Sequence, residues 1–326
     1  MRRSLAVLFA LAAVALVVNA CTPEQPFTLV IPELAETFTD VESIKVSGTA
    51  DGPLLHSYRS GGSNEIVNDV PTDENAPVFN VYCVYGIDEA EFPDNSLYDA
   101  WDGSYLYSPD YVAFDDGTLR SYDDGTLILT CAASNPPAGL NIERHLVFPG
   151  SADQGRFMVD VLDIVGASDT PVDISDLEYY VNDGADDSML EPWETFGSVG
   201  AFEWATKDDD DLSDPAVGLL PLVSTKVEVD TDATGGDLYY VVGSDGATLA
   251  LGERAVIAMV AGIRGDFDPG SLAGKTASMQ ALGAELAPLA GDAFCRFNPP
   301  VFYVWSYLLE DSDDIRDAIC AGYAGL

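Results

Sequence analysis

The chain has 326 residues, of which 47% are hydrophobic, and it carries 55 acidic against 14 basic side chains for a formal net charge of −41 at pH 7. A chain this apolar can bury a sizeable core, which argues against a disordered protein. A surface this negative repels nucleic acid and anionic lipid, so both are poor partners of the folded part. The acids are spread along the whole chain, which favours adaptation to high salt, where screening relieves self-repulsion. Binding of divalent cations at particular loops is the alternative.

The N-terminus has the layout of a signal peptide. Arg2 and Arg3 form a positive region, and Leu5 to Val18 is an apolar run without a charge. This run is too short for the roughly twenty residues that a membrane-spanning helix needs. Residues 1–20 are therefore predicted to be removed on export.

The next residues resemble the lipobox of bacterial lipoproteins, because Val18-Asn19-Ala20 precedes Cys21. The resemblance implies that Cys21 carries lipid and that the protein is an exported, membrane-anchored lipoprotein of the cell surface or the periplasmic face. Acyl chains inserted in the bilayer would provide the anchor. The alternative is an ordinary secretory signal cut near Ala20, with Cys21 left to pair with another thiol. Residues 21–40 are predicted to be a tether and a first strand.

Four cysteines remain after Cys21, and their spacing lacks the CxxC of zinc and thioredoxin sites. Disulfides persist outside the cytoplasm, and four cysteines allow three connectivities. The favoured pairing closes the shorter loops and joins Cys83 to Cys131 and Cys295 to Cys320. Four buried free thiols are the alternative.

Residues 41–265 are predicted to form one large antiparallel β-sandwich of the supersandwich type, in a mainly β fold. Gly, Pro, Asn and Asp interrupt short alternating runs about every eight to twelve residues, which is typical of a sandwich. The clearest predicted strands are Phe79 to Tyr85, Tyr111 to Phe114, Leu127 to Cys131 and Leu140 to Phe148.

Turn signals add three connections to this prediction. Phe114 to Thr118 and Tyr122 to Thr126 each contain Asp-Asp-Gly, and Asp-Gly supplies the positive φ of tight turns. They predict two consecutive hairpins. A strand between Arg156 and Gly166 is expected to pair with Val172 to Val181 after the turn at Pro171.

Residues 266–326 are predicted to be a helical segment packed on the sandwich. From Ser271 to Ala290, apolar residues recur at the spacing of one helix face, and Pro288 ends the pattern. A short second helix is expected from Asp311 to Cys320.

Few residue patterns indicate catalysis. The chain contains two histidines, His56 and His145, which excludes a zinc site with several histidine ligands. The sequence has no nucleophile elbow, P-loop or dinucleotide-binding glycine motif. The best carbohydrate candidate combines aromatic rings with acids that bind hydroxyl groups, in Tyr98, Asp99, Trp101 and Asp102. A turn at the start of a strand explains the same residues.

No cofactor is required by the sequence, and Ca²⁺ is the one metal that it suggests. Asp208, Asp209, Asp210, Asp211 and Asp214 offer many oxygen ligands. Residues 230–235 imitate the opening of an EF-hand loop, but Val241 stands where the loop requires a glutamate. Solvated acidic turns are the alternative for both segments.

Five segments resemble a group of uncharacterised bacterial extracellular and surface β-sandwich modules that have an Asp-Ala-Tyr/Trp-Asp-Gly element. The matching segments are NSLYDAWDG (95–103), NIERHLVF (141–148), GRFMVDVLDI (155–164), NDGAD (182–186) and LALGERAVIAM (249–259). The group implies a sandwich fold and no known activity.

These patterns together predict a lipid-anchored extracellular β-sandwich that acts as a non-catalytic binding or structural module of the cell envelope. Its expected partners are the membrane, through Cys21, and a glycan or an envelope protein. A carbohydrate-active enzyme or a carbohydrate-binding subunit is the alternative.

Overall fold

The computed structural model describes residues 33–49, 52–68, 78–84, 86–91, 103–108, 110–150, 157–182, 195–206, 216–224, 228–232, 239–243, 247–264 and 272–287. Their secondary structure, in chain order, is β1 (Leu34–Thr49), β2 (Gly52–Ser60), β3 (Ser63–Ile66), β4 (Val78–Tyr82), β5 (Gly86–Glu91), β6 (Gly103–Ser108), β7 (Asp110–Tyr111), β8 (Gly117–Tyr122), β9 (Leu127–Ala132), β10 (Leu140–Phe148), β11 (Phe157–Gly166), β12 (Val172–Asp173), β13 (Glu178–Asn182), β14 (Thr195–Val199), β15 (Phe202–Thr206), β16 (Ala216–Ser224), β17 (Glu228–Asp232), β18 (Tyr239–Gly243), β19 (Thr248–Leu249), β20 (Arg254–Arg264) and α1 (Leu272–Leu286). Every pairing among these strands is antiparallel. The predicted mainly β, antiparallel fold is confirmed.

A first layer of strands runs in the order β14-β15-β16-β20-β11-β10-β9-β8-β1. The N-terminal half of β1 belongs to this layer, because residues from Leu34 to Val41 pair with β8. Its C-terminal half pairs instead with β2 and β4. The change of partner lies next to Asp40, which has a φ of 56° in the left-handed region. β1 therefore continues from the first layer into a second one.

The second layer begins with β3, β2, the end of β1, β4 and β5. Its further strands follow side by side: β6 lies beside β5, β13 pairs with β6, and β18 lies beside β13. The two layers meet in the interior, where the Phe79 ring of β4 lies 5.6 Å from the Phe148 ring of β10. The structure is thus a sandwich in which β1 crosses between the layers.

The core consists of alternate residues of both layers, as expected for strands that are apolar on one face. It includes Leu119, Leu129, Leu146 and Leu162 from the first layer, and Ile44, Phe79, Val81 and Tyr179 from the second. Full burial of an aliphatic or aromatic side chain stabilises the fold by about 1.5–3 kcal/mol. The residues between them in sequence, such as Lys45 and Asn80, lie on the outer face of the second layer.

Cys83 and Cys131 form a disulfide with a Cα–Cα distance of 5.6 Å, in the predicted pairing. It joins the end of β4 to β9 and so links the two layers. The neighbouring Gly117 leaves room for it, since a Cβ there would lie 2.8 Å from the Cys83 sulfur. Cys295 and Cys320 lie outside the described residues, as does Cys21.

The helix α1 lies within the predicted Ser271 to Ala290 segment and contacts β14, β15, β16 and β20. Met279, Leu282 and Leu286 of its apolar face are buried. Gly283 allows close approach, because a Cβ there would lie 2.6 Å from the Phe202 ring. Among the described helices, none is long and apolar enough to cross a membrane. The second predicted helix lies beyond the described residues.

Three local predictions are wrong. The second Asp-Asp-Gly segment does form the β8–β9 hairpin, with Gly125 at a φ of 87°. The first does not, because Gly117 is the first residue of β8, lacks a positive φ and pairs with Val41 of β1. The predicted strand from Tyr111 to Phe114 is also wrong, because β7 ends at Tyr111 and Phe114 makes an isolated bridge to Ala133.

The third error concerns the partner of β11, which pairs with β10 and β20. Residues of the predicted partner strand form β12 and β13, which pair with β19 and β6.

Candidate functional site: a polar cleft on the second layer

Antiparallel pairing brings polar side chains of three strands together on the outer face of the second layer. Residues directly opposite each other in such pairs lie on the same face. Two adjacent rows result, and they are Tyr82–Ser43–Arg59 and Asn80–Lys45–Ser57. In each row the middle residue belongs to β1. The strand segments that supply these rows are separated in sequence and become neighbours through the sheet alone.

These side chains line a cleft with a volume of about 220 Å³, which we call the outer cleft. Its lining residues are Ser43, Ile44, Lys45, Ser57, Tyr58, Arg59, Asn64, Asn80 and Tyr82. Ser43 is buried, whereas Arg59 and Asn64 are exposed. The volume is below the roughly 300–1,000 Å³ of sites for drug-sized molecules, so the cleft suits a single small group such as one sugar unit of a longer chain.

Glu42 holds one side of the outer cleft in position. Its Oε2 lies 2.9 Å from Nε of Arg59, and its Oε1 accepts a hydrogen bond of 2.6 Å from the backbone N–H of Gly62 in the β2–β3 turn. The Arg59 side chain is 45% exposed, so this ion pair contributes little to stability. Its effect is to orient the guanidinium group at the edge of the cleft.

His56 lies next to the cleft residue Lys45. Burial lowers the pKa of His56 below its usual value, and the positive charge of Lys45 lowers it further. The Nε2 of His56 lies 2.7 Å from the hydroxyl oxygen of Ser47. His56 is therefore neutral at pH 7, and the positive charge at this site comes from Lys45 and Arg59.

The side chains that line the outer cleft offer several kinds of contact to a polar ligand. Hydroxyl and amide groups both donate and accept hydrogen bonds, the two cations donate, and Tyr82 adds an aromatic ring. The described residues that line the cleft include no carboxylate.

A second group of polar side chains, which we call the titratable cluster, lies on β10, β11 and β20. Glu143 lies opposite Asp163 in the β10–β11 pair, and Arg254 Nη1 lies 3.9 Å from Asp163 Oδ2. His145 Nε2 lies 3.8 Å from Glu143 Oε2, and its Nδ1 lies 3.1 Å from the Thr130 hydroxyl oxygen. Within β10, His145 is on the strand face opposite Leu146. The cluster thus places two carboxylates and an imidazole side by side.

Burial perturbs the ionisation of two members of the titratable cluster. Desolvation raises the pKa of Asp163 to about 6; the charge of Arg254 opposes this shift, and that of Glu143 adds to it. Desolvation also lowers the pKa of His145 to about 4, with help from the charges of Arg120 and Arg254. Carboxylates in unequal environments are what acid–base catalysis uses, although structural ion pairs show the same perturbation.

The titratable cluster predicts two opposing effects of pH on stability. A raised pKa means that Asp163 contributes stability below about pH 4 and loses it as the pH rises through about 6. A lowered pKa means that His145 contributes stability above about pH 6.5 and loses it as the pH falls towards 4. Each effect amounts to about 3 kcal/mol at most.

We therefore expect the Asp163→Asn protein to gain stability relative to the wild type as the pH rises from 4 to 7. The His145→Gln protein should gain relative stability as the pH falls over the same range. Urea unfolding of the wild type and both variants, measured every half pH unit from pH 4 to 7, gives both differences. If the free energy of unfolding depends on pH in the same way in all three proteins, neither group titrates with a shifted pKa.

The site residues predicted from sequence lie largely outside the described residues. This holds for Tyr98, Asp99, Trp101 and Asp102, and for Asp208, Asp209, Asp210, Asp211 and Asp214. The described part of the chain contains no group of three or more His, Cys, Asp or Glu that could hold a metal ion. Asp230 pairs with Val241 between β17 and β18, so the two described ends of the EF-hand-like stretch are paired strands.

Comparison with known proteins returns solved structures that share little sequence identity with this chain. No family model matches the chain, and no curated protein matches it. A protein assigned as a kojibiose phosphorylase from the human microbiome has a TM-score of 0.43 and 10% identity, over 88% of this chain and 42% of that one. Heparan sulfate lyase HepC from Pedobacter heparinus has a TM-score of 0.37 and 12% identity, over 67% and 36%. The α-galactosidase from Lactobacillus brevis has 0.33 and 12%, over 77% and 42%. The chain therefore spans less than half of each of these proteins.

Proposed function

We propose that this chain is an exported, lipid-anchored β-sandwich protein that binds carbohydrate at the outer cleft and does not cleave it. The main support for carbohydrate binding is the pair of polar rows around Ser43 and Lys45, which form a cleft on the outer face of the second layer. The disulfide between Cys83 and Cys131 supports export, since disulfides persist in oxidising compartments. The signal-peptide pattern and the lipobox-like residues before Cys21 support the anchor.

A sugar unit has hydroxyl groups around its rim and an apolar face of C–H groups. The amides of Asn64 and Asn80 and the hydroxyls of Ser43 and Ser57 match the rim, because each donates and accepts hydrogen bonds. The ring of Tyr82 offers an apolar surface for the sugar face. Each hydrogen bond contributes only about 0.5–1.5 kcal/mol, so a single small cleft binds one unit weakly. A polymer that presents many units to a surface covered with anchored copies gains affinity through multivalency.

The binding proposal predicts retention of the mature protein on at least one polysaccharide. We expect Tyr82→Ala and Asn80→Ala each to weaken this retention about tenfold or more, because both lie in the cleft rows. Affinity electrophoresis through gels that contain a panel of neutral and acidic polysaccharides measures the effect. Asn141→Ala is the matched control, since Asn141 is an exposed asparagine of β10, outside the cleft. Failure of the wild type to bind any polymer, or unchanged binding by Tyr82→Ala, contradicts the proposal.

The same samples separate a binding module from an enzyme. A non-catalytic protein releases no new reducing or unsaturated ends from the polymers that retain it. If such ends are released and Glu143→Gln abolishes their release, the titratable cluster is a catalytic site and the non-catalytic part of the proposal is wrong.

The anchor has an independent test. Expressed in a bacterium with its full N-terminus, the protein should partition into the detergent phase, and mass spectrometry should find a lipid-modified Cys21 at the mature N-terminus. An unmodified peptide that starts at or after Cys21 means that the protein is secreted without a tether.

A further inference from the structure

We propose that the outer cleft selects an uncharged saccharide, and that Glu42 is the residue that excludes acidic ones. This inference rests on the proposed carbohydrate-binding function and adds the chemical class of the sugar, together with the residue that sets it. Strong recognition of the carboxylate of an acidic saccharide requires a cation that has no other partner. The cleft lining contains Lys45 and Arg59, so its preference for charge depends on what these two side chains already contact.

Arg59 is already paired with a carboxylate. Its Nε lies 2.9 Å from Glu42 Oε2, while Glu42 Oε1 accepts a hydrogen bond of 2.6 Å from the backbone N–H of Gly62. Both oxygens of Glu42 are therefore held, one by the guanidinium and one by the turn between β2 and β3. A carboxylate fixed in this way neutralises Arg59 and repels the acid group of any ligand that approaches the same guanidinium.

Lys45 does not supply a free charge either, because it already has an interaction partner within the protein. In addition, Glu89 of β5 lies opposite Asn80 of β4, so the cross-strand row that contains Lys45 continues to an acidic residue. Neighbouring His56 is neutral at pH 7, since burial and the charge of Lys45 both lower its pKa. Among the described side chains of the cleft, no cation is left over for a ligand carboxylate.

Further acids lie close to Glu42. The pairing of β1 with β8 brings the residues that precede β8 next to this part of β1. Burial raises the pKa of Asp116, and the charges of Glu42, Asp40 and Asp115 raise it further, so these carboxylates are near enough to repel one another. An anionic ligand at Arg59 would meet this local negative charge in addition to the general repulsion from a chain of net charge −41.

An uncharged saccharide avoids both kinds of repulsion. Its hydroxyl groups bind to polar side chains that need no counter-ion, and Ser43, Ser57 and Asn64 supply such groups in the cleft lining. At about 0.15 M salt the Debye length is near 8 Å, so distant acids are screened and the charges next to the cleft decide between neutral and acidic ligands. Selectivity measured under these conditions therefore reports on the cleft.

The test compares polymers that differ in charge alone. Polygalacturonate, alginate and hyaluronate are each paired with their carboxyl-reduced form, and pullulan and galactomannan with a form whose primary hydroxyl groups are oxidised to carboxylates. Affinity electrophoresis of the mature protein at about 0.15 M salt measures binding to each form. We expect at least one neutral form to bind about tenfold or more tightly than its carboxylated partner.

The Glu42→Gln variant tests the role of this residue directly. Glutamine keeps an oxygen for the Gly62 N–H and removes the charge that neutralises Arg59. The carboxylated polymer should then bind about tenfold or more tightly than it binds the wild type, because its carboxylate pairs with the guanidinium, while affinity for the neutral form stays within about twofold. Arg59→Gln added to Glu42→Gln should abolish this gain. Glu36→Gln removes an equal charge from an exposed position of β1, outside the cleft, and should behave as the wild type.

Each outcome supports or overturns a stated part of the two proposals. A carboxylated polymer that binds the wild type as tightly as every neutral partner does overturns selection of an uncharged sugar and leaves carbohydrate binding intact. No gain in Glu42→Gln, or an equal gain in Glu36→Gln, overturns the assignment of selectivity to Glu42. No binding to any polymer overturns the proposed function and this inference with it. Thermal unfolding of all variants checks that a change in binding is not a change of fold, and the comparison of polymers on the wild type stands whether or not a variant folds.

Discussion

Replacing Arg144 with alanine is expected to lower the free energy of unfolding by about 3–5 kcal/mol, which is the usual cost of breaking a buried ion pair from one side. The Arg144 side chain is fully buried between the two layers, with Nε 3.9 Å from Asp160 Oδ1. Its Cζ lies 4.6 Å from the centre of the Phe114 ring and 5.4 Å from that of Tyr179. The Tyr179 hydroxyl donates a hydrogen bond to the other oxygen of Asp160. Alanine removes the cation from this group and leaves a cavity.

The physical balance at Arg144 is unusual. Its three guanidinium nitrogens make no hydrogen bond within the described structure, so burial of the charge is compensated by the carboxylate and the two rings alone. Such cation–π contacts contribute about 2 kcal/mol or more when water is excluded. Because Arg144 and Asp160 come from the first layer and Tyr179 from the second, the group fixes one layer against the other.

Urea unfolding at pH 7 measures the effect of Arg144→Ala. Arg120→Ala is the control, because Arg120 is on the same sheet but only partly buried, and we expect a change below about 1 kcal/mol. The double change Arg144→Met with Asp160→Asn removes both charges and keeps most of the volume, so it should be less destabilising than Arg144→Ala. A loss below 1 kcal/mol in Arg144→Ala would show that the buried pair is dispensable.

Removal of the disulfide between Cys83 and Cys131 is expected to cost about 4 kcal/mol, from the chain entropy of a closed loop of this length. The two cysteines are 48 residues apart in sequence. The bridge limits the freedom of the unfolded chain and ties β4 of the second layer to β9 of the first. Both sulfurs lie in the core, so alanine at both positions avoids burying new polar groups.

Unfolding of the Cys83→Ala, Cys131→Ala double variant in urea, compared with the oxidised wild type, gives the size of this contribution. Reduced and alkylated wild-type protein should unfold more easily as well, which separates loss of the cross-link from effects of the alanines. A double variant that unfolds at the wild-type urea concentration would contradict the prediction.

The strands with the clearest alternation were predicted best. The predicted segment Leu140 to Phe148 coincides with β10, and Leu127 to Cys131 differs from β9 by one residue. Alternation is a local property, so it survives without knowledge of the partner strands. The same alternation places Arg144 in phase with Leu146 and Phe148 on the inner face. The alternation therefore indicates that Arg144 faces the interior, but it gives no sign that Phe114 and Tyr179 lie beside it.

Pairing between strands was predicted less well, because it depends on residues distant in sequence. Gly117 shows the reason. The Asp-Gly pair is a turn signal in any chain, but Gly117 here leaves space beside the disulfide. The outer cleft gives no local signal either. Its residues come from β1, β2, β3 and β4, and short polar segments of this kind are common on exposed strand faces.

The sequence by itself determined the mainly β class, several strand positions, the helix after Ser271 and the choice of Cys131 as partner of Cys83. These follow from periodicity, turn chemistry and loop length, which act over a few residues or depend on simple counting. Three features were decided by the tertiary structure alone. β1 crosses between the layers, and β12 and β13 pair with β19 and β6 instead of with β11. Lys45, Arg59 and Tyr82 line one cleft. Those features depend on the register of strands that meet only after folding, and a shift of one residue would turn each of these side chains to the opposite face.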